Sequence, residues 1–285
     1  TPIKSSAASD VYKRQVFAYP YIVWMALFIA VPMVFIFYYA FNVDGSFSFS
    51  KAWATLSDIS KWRVLWVSIE IAAGTTVFCL LLGYPVAYIL SNMRKSIAAF
   101  ISVLFFVPMW MNFVLRTYAW QAILEYAIPN MLGWTDKTLT GSVWAVMMVL
   151  VYNFIPFMVM PLYNSLSKID RSLIEASGDL GANGRMTFFK VVLPLSVPGI
   201  VSGITMVFIP AITAFTVPAL IGNGNYNLYG NEIEMAFKQA AGSAGSADYS
   251  VGSTLAIILL ICVFISTAVT VSYTHLRAHE TPEHL

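Results

Sequence analysis

Charged residues are scarce in this chain of 285 residues. Asp, Glu, Lys and Arg make up only 11% of it, and 59% of the residues are hydrophobic, whereas about a quarter of an ordinary soluble domain is charged. This composition excludes a soluble domain and predicts an integral membrane protein with several spans. The formal net charge of +2 is too small to indicate a nucleic-acid partner.

Cysteine and histidine are also rare. Cys79 and Cys262 each lie in an apolar run, where a thiol behaves as a small hydrophobic group, so we expect no disulfide. The three histidines occupy positions 275, 279 and 284, all near the C-terminus. Pro282 interrupts any helix that would align them, and we therefore expect no metal site.

Sequence motifs for enzyme chemistry are missing as well. The chain contains no phosphate-binding loop of the G-x-x-x-x-G-K type. Outside the C-terminal tail there is no histidine to activate a serine or cysteine nucleophile. We therefore expect a protein that is not an enzyme and that binds no cofactor of its own.

Six apolar stretches are long enough to cross a bilayer, since a helix needs about twenty residues to do so. Backbone polar groups cannot stay unpaired in lipid, so the sequence predicts an all-α integral membrane protein with six transmembrane helices over residues 16–273. We interpret the polar segments 1–15 and 274–285 as a non-native leader and a non-native tail. The six stretches are residues 16–41, 64–90, 97–120, 140–163, 195–221 and 251–273.

Basic residues set the predicted orientation, because Lys and Arg concentrate in cytoplasmic links. The short link between the second and third spans carries Arg94 and Lys95. The link between the fourth and fifth spans, about residues 165–194, is also basic. We assign both links to the cytoplasm, and both termini with them. The basic residues of the longer link are Lys168, Arg171, Arg185 and Lys190.

The longer link has the pattern of a short helix outside the bilayer. Ser172 and, three residues later, Glu175 form a capping-box pattern. Gly181 is placed to end the helix in a left-handed conformation. A second short helix would cover residues 186–192 and end at Pro194.

One face of the first helix combines Leu173, Ala176 and Leu180, at spacings of three and four residues. A helix of this kind suits docking into a groove on another protein. An ordinary interfacial helix between two spans would have the same features.

The longer link resembles the cytoplasmic "EAA" loop of permease subunits in ATP-driven (ABC) bacterial importers. The pattern of that loop is E-A-A, three residues, G, nine residues and I-x-L-P; here Ser177 replaces the second Ala and Val191 the Ile. The resemblance implies a type I (MetI-like) importer fold and a loop that docks into an ATPase subunit. The implied coupling residues are Glu175, Ala176, Ser177, Gly181, Leu193 and Pro194.

A wider resemblance, over most of residues 16–268, is to the B-type permease of spermidine/putrescine importers. It rests on residues 82–88, 107–112, 115–118 and 155–163. It implies a bacterial inner-membrane complex of this chain with a second related permease, two ATPase subunits that bind ATP and Mg, and an external solute-binding protein. Two alternatives stay open: the same importer class with another cargo (an iron complex, an anion or an opine), or an ATP-independent secondary transporter.

A polyamine path needs acidic groups or aromatic faces that attract cations. Glu70 can instead pair with a basic group on a neighbouring helix, and the aromatic residues can belong to the interfacial belt. We expect Arg116 and Glu125 to pair with each other or with lipid headgroups. We expect the third, fourth and fifth spans to line the path, with Pro210 and Pro218 softening the fifth. The candidate path residues are Glu70, Trp110, Asn112, Tyr118, Tyr152, Asn153 and Thr213.

Overall fold

The computed structural model describes residues 19–43, 46–133, 138–242 and 248–278. Within them the only strands are the short antiparallel pair β1 (Asn42–Val43) and β2 (Ser46–Phe47). All other regular elements of these residues are helices, as the sequence predicted. They are α1 (Tyr19–Phe41), α2 (Ser50–Ser57), α3 (Ile59–Asn92), α4 (Lys95–Trp110), α5 (Phe113–Met131), α6 (Val143–Leu166), α7 (Arg171–Asp179), α8 (Gly184–Ile212), α9 (Thr216–Ile221), α10 (Tyr229–Gly242) and α11 (Ser250–Ala278).

The proposed leader, residues 1–15, lies outside the described residues. The structure describes only the helical backbone of the proposed tail, up to Ala278. The expectation that His275, His279 and His284 form no metal site therefore stays a prediction.

Five helices in the described part of the chain are long and apolar enough to span a bilayer: α1, α3, α6, α8 and α11. A sixth span results if α4 and α5 count as one, but these two helices meet at 85°. The third span predicted over residues 97–120 is therefore broken into two helices in this structure. Pro108 lies in a 3-10 turn that ends α4, and the Asn112 side chain caps α5 by accepting hydrogen bonds from the N–H groups of Val114 and Leu115.

The fifth span also differs from the prediction at both ends. The second helix of the polar link does not end at Pro194 but continues as α8 to Ile212. Pro194 follows a π-helical turn, Phe188–Val192, and lies in the first α-helical turn after it, where its missing N–H is tolerated.

At its other end, α8 stops at Ile212, and the predicted span 195–221 is interrupted before α9 begins. Pro218 lies in the first turn of α9. In a continuous helix its ring would clash with the carbonyl of Ala214, so it favours a new helix start there.

The described residues form two compact units. The larger one comprises Ile59–Glu234 and Leu259–Leu285. Its core is a bundle of α3, α6 and α8, in which every pair of helices is in contact. Small residues allow the close approach of α6 and α8, as is common in membranes. A Cβ atom at Gly199 would lie 2.8 Å from the carbonyl oxygen of Pro161 and 2.5 Å from Cβ of Ser165.

The smaller unit comprises Thr1–Asp58 and Met235–Ile258. In it Lys51 of α2 forms an ion pair with Asp248, which also accepts hydrogen bonds from the backbone and side chain of Ser250 at the start of α11. Burial raises the pKa of the Asp248 carboxyl, but the hydrogen bonds from Lys51 and Ser250 outweigh burial and hold this pKa below its ordinary value.

Gly199→Val is expected to destabilise the protein by about 1–3 kcal/mol, because the new side chain overpacks the contact between α6 and α8. Thermal unfolding of the purified chain measures this. The matched control is Gly178→Val in α7, where a Cβ atom meets nothing within 4 Å. Equal loss of stability in the two variants would contradict the packing role of Gly199.

The capped start of α11 is expected to loosen only in acid. Because the pKa of Asp248 is lower in the folded protein, its stabilising contribution is complete above the ordinary carboxyl pKa of ~3.9 and is lost as the pH falls through the lowered value. Hydrogen exchange of the amides of residues 248–253, corrected for intrinsic rates, measures this. Asp248→Asn should remove the pH step, and a step that persists in the variant would assign it to another group.

Candidate functional site

The polar link between α6 and α8 begins with the capped helix α7. The carboxylate of Asp170 accepts a hydrogen bond from the N–H of Ser172 at 3.0 Å and is the N-cap. The predicted cap, Ser172, is wrong by two residues, since the chain has two good capping residues within one turn and uses the first. The left-handed end is confirmed, because Gly181 has a φ of +83°.

A buried hydrogen bond joins the two helical parts of this link. The hydroxyl groups of Ser177 and Thr187 lie 2.9 Å apart, and Ser177 is only 9% exposed. Ser177 also contacts the carbonyl oxygen of Ile174 at 2.7 Å, and Asn183 caps the start of α8 by accepting from the N–H of Met186 at 2.9 Å. Ser177, at the second alanine position of the motif, thus holds the two segments at a fixed angle.

Phe188 ties the link to α3. Its ring packs edge-on against Tyr84 and against Tyr88, with 5.8 Å between ring centroids in each pair. The hydroxyl group of Tyr84 lies 2.9 Å from that of Ser196 in α8. These contacts were missed by sequence reasoning, although the spacing of four between Tyr84 and Tyr88 puts both rings on one face of a helix.

The opposite surface of α7 is exposed. Glu175 and Ala176 are both exposed, Leu173 is 48% exposed and Leu180 is 89% exposed. Of the last two predicted coupling residues, Leu193 is half-buried and Pro194 exposed. An apolar helical face of this kind, left uncovered within the described residues and outside the apolar spans, is suited to a protein partner.

A cavity of about 680 Å³ lies beside α7. Its walls are the last turns of α6, the start of α7 and the middle of α8, including Ser165, Asp170, Leu173, Gly199 and Met206. The cavity therefore lies between the start of the link and the two helices, α6 and α8, that the link connects.

The candidate path residues lie on several helices. Trp110 and Tyr118 are exposed near the bend between α4 and α5, and Asn112 is the cap at that bend. Glu70 is exposed on α3. Thr213 donates a hydrogen bond to the carbonyl oxygen of Ile209 at the end of α8. Their roles in transport stay predictions.

The two candidates on α6 differ from each other. Tyr152 packs against Trp120, with 5.1 Å between ring centroids, and lines a second cavity of about 320 Å³. Asn153 is 1% exposed, and its amide nitrogen and oxygen have no hydrogen-bond partner in the described part of the chain. Asn153 thus faces the interior of the helix bundle.

Arg116 and Glu125 do not pair. Arg116 instead donates a hydrogen bond from Nη1 to the carbonyl oxygen of Pro108 at 3.0 Å, while Glu125 lies half-exposed in a π-helical turn of α5. The structure thus excludes the pairing of Arg116 with Glu125, which was the first of the two alternatives predicted for Arg116.

The break after α8 is held by the start of α10. The side-chain amide of Asn231 donates to the carbonyl oxygen of Phe215 at 2.8 Å, and the N–H of Tyr229 donates to the hydroxyl oxygen of Ser68 at 2.8 Å. A Cβ atom at Gly230 would lie 2.7 Å from the carbonyl oxygen of Thr213, so only glycine allows this approach.

Residues 79–279 match the family of binding-protein-dependent transport system inner membrane components. The chain belongs to this family. It is 33% identical to the spermidine/putrescine transport system permease protein PotB of Escherichia coli, over 85% of this chain and 92% of that one. Members of the family are transport permeases and not enzymes, which agrees with the missing catalytic motifs.

Solved structures show the same fold in this family. A bacterial alginate ABC transporter, in complex with a periplasmic protein carrying an alginate pentasaccharide, matches with a TM-score of 0.75 at 12% identity, over 93% of this chain and 94% of that one. The methionine ABC transporter MetNI matches with a TM-score of 0.57 at 20% identity, over 77% of this chain and 98% of that one. The type I, MetI-like permease fold predicted from the sequence is confirmed.

Phe188→Ala is expected to free the link from α3. Two edge-on aromatic contacts are worth about 0.5–1.5 kcal/mol each, so trypsin cleavage at Arg185 and Lys190 should speed up by about ten-fold or more. Limited proteolysis of the purified chain measures this. Phe189→Ala is the matched control: Phe189 is 63% exposed, its ring packs against that of Phe188 at 5.1 Å, and no ring contact with Tyr84 or Tyr88 is described. Equal cleavage of both variants would contradict the anchoring role of Phe188.

Proposed function

We propose that this chain is the membrane-spanning permease subunit of an ATP-driven importer of polyamines such as spermidine and putrescine. The observation that carries the proposal is the polar link of a family member, held rigid by Ser177 and Phe188, with the apolar face of α7 left open for a partner. ATP and Mg bind to that partner, since this chain carries no phosphate-binding loop.

The partner on α7 is an ATPase subunit. Glu175, Ala176 and Leu180 meet the ATPase surface, while Ser177 and Gly181 keep α7 at its angle to α8. When ATP draws two ATPase subunits together, the displacement of α7 passes into α8, which continues from Gly184 through the π-helical turn Phe188–Val192 to Ile212. ATP supplies the energy by binding more tightly to one of the two states of the complex.

The remaining partners are those that the resemblance to importer permeases implies. A second, related permease supplies the other half of the path, and an external solute-binding protein delivers the cargo. The complex lies in the bacterial inner membrane with both termini of this chain in the cytoplasm, as the basic links at Arg94 and Lys95 and around Lys168 and Arg171 favour.

The polyamine cargo is supported by the printed function of the PotB relative, which covers most of both chains. Glu70, exposed on α3, offers a carboxylate to a polycation, and the exposed rings of Trp110 and Tyr118 offer cation–π surfaces. Asn112 and Tyr152 border the same bend, whereas Asn153 and Thr213 line the path only after α6 and α8 rearrange.

The full complex, reconstituted with its ATPase and binding protein, is expected to hydrolyse ATP faster with spermidine or putrescine than with unrelated solutes such as iron complexes, anions or opines. Glu175→Lys should abolish the stimulation and spare assembly of the two permeases. The control Glu234→Lys changes the same charge on α10, far along the chain from α7.

If only another solute stimulates ATP hydrolysis, the proposal of an ATP-driven importer stands and the proposal of a polyamine cargo is overturned. Equal effects of Glu175→Lys and Glu234→Lys would remove the coupling role of α7. If no ATPase binds this chain, the proposal is overturned and the secondary transporter becomes the remaining explanation.

A further inference from the structure

Arg116, near the start of α5, is a buried cation. It is 7% exposed, and its guanidinium lies over the ring of Phe113, 5.8 Å from the centroid. Nη1 donates to the carbonyl oxygen of Pro108, but Nε is buried without a hydrogen-bond partner within the described residues. The donors of Arg116 are therefore only partly satisfied.

No acidic group of the described residues compensates this charge. Neither of the two ion pairs described there, Lys51 with Asp248 and Lys61 with Glu232, includes Arg116. A buried charge without a counter-charge is strongly unfavourable, and buried charges are as a rule paired. The counter-charge of Arg116 must therefore come from outside the described part of this chain.

The space for such a group is the cavity of about 320 Å³ that Arg116 lines. Its walls are almost entirely apolar and include Leu104 and Phe105 of α4 and Ile155 of α6; Tyr152 adds a phenol. The cavity thus combines one guanidinium with an apolar chamber, which suits an anionic group carried on an aliphatic chain.

The depth of the site in the membrane favours a lipid. From Lys95, at the basic link, α4 comprises 12 α-helical residues and a 3-10 turn of 4 residues. They rise about 26 Å, close to the ~30 Å thickness of the hydrocarbon core. An α4 that crosses the bilayer from the basic link brings Arg116, which is hydrogen-bonded to Pro108, close to the headgroups of the far leaflet.

We propose that Arg116 and the cavity beside it bind a membrane phospholipid. The phosphodiester accepts hydrogen bonds from the guanidinium, and an acyl chain lies along Leu104 and Ile155. The bend between α4 and α5 creates the site, because it turns Arg116 back over the end of α4, where Pro108 holds one of its nitrogens.

Native mass spectrometry of the full-length chain, purified in mild detergent with the subunits that accompany it, tests this. Arg116→Gln should lose one retained phospholipid per copy of this chain. Leu104→Trp should do the same by filling the cavity without changing charge, and it remains informative if Arg116→Gln does not fold, because Leu104 is 48% exposed. The control Arg94→Gln, an exposed arginine at the other end of α4, should keep the lipid.

An unchanged lipid count in Arg116→Gln and Leu104→Trp would overturn the proposal. So would an Arg116→Gln variant that keeps its lipid but loses the second permease, since the counter-charge would then be an acidic side chain of that subunit. Equal loss of lipid in the Arg94→Gln control would show that the lipid follows net charge and not this site.

Discussion

The close approach of α6 and α8 is the contact on which the rest of the larger unit depends. In a bilayer, burial of apolar surface does not drive helices together, so shape and close backbone contact must do so. Gly199 supplies this contact against Pro161 and Ser165, and Gly203 repeats it one turn later against Met158. Both glycines lie on the helix that also carries the polar link, so the packing of the core fixes the position of the candidate site.

The length of α8 connects the two ends of the unit. Its 29 residues extend about 44 Å, from the link with α7 to the break before α9. At the first end, Phe188 packs α8 against α3; at the second, Asn231 donates a hydrogen bond to the carbonyl oxygen of Phe215, beside the break. Within the described length of α8, the irregular points are the π-helical turn Phe188–Val192 and the internal prolines Pro198 and Pro210.

Composition and local patterns predicted the fold class, the apolar spans and the left-handed Gly181, because each of these depends on residues close in sequence. The interruptions of the third and fifth spans could not be found in this way. Both sides of each break are apolar, so hydropathy continues across it, and only the capping by Asn112 and the position of Pro218 reveal it. Pro194, by contrast, led to the wrong prediction that the second helix of the link ends there. The π-helical turn before it allows the helix to continue.

The motif of the candidate site could be predicted from the sequence, but the contacts that hold the site in place could not. The spacing from Glu175 to Pro194 is a local signal, whereas the partner of Phe188 lies about one hundred residues away in α3 and only the fold brings them together. Buried polar groups mark a further limit of single-chain reasoning. Asn153 and the Nε atom of Arg116 have no partner within the described residues, and since such groups are satisfied in native proteins, their partners belong to what surrounds this chain: lipid for Arg116, and for Asn153 the rearranged or assembled state of the helix bundle.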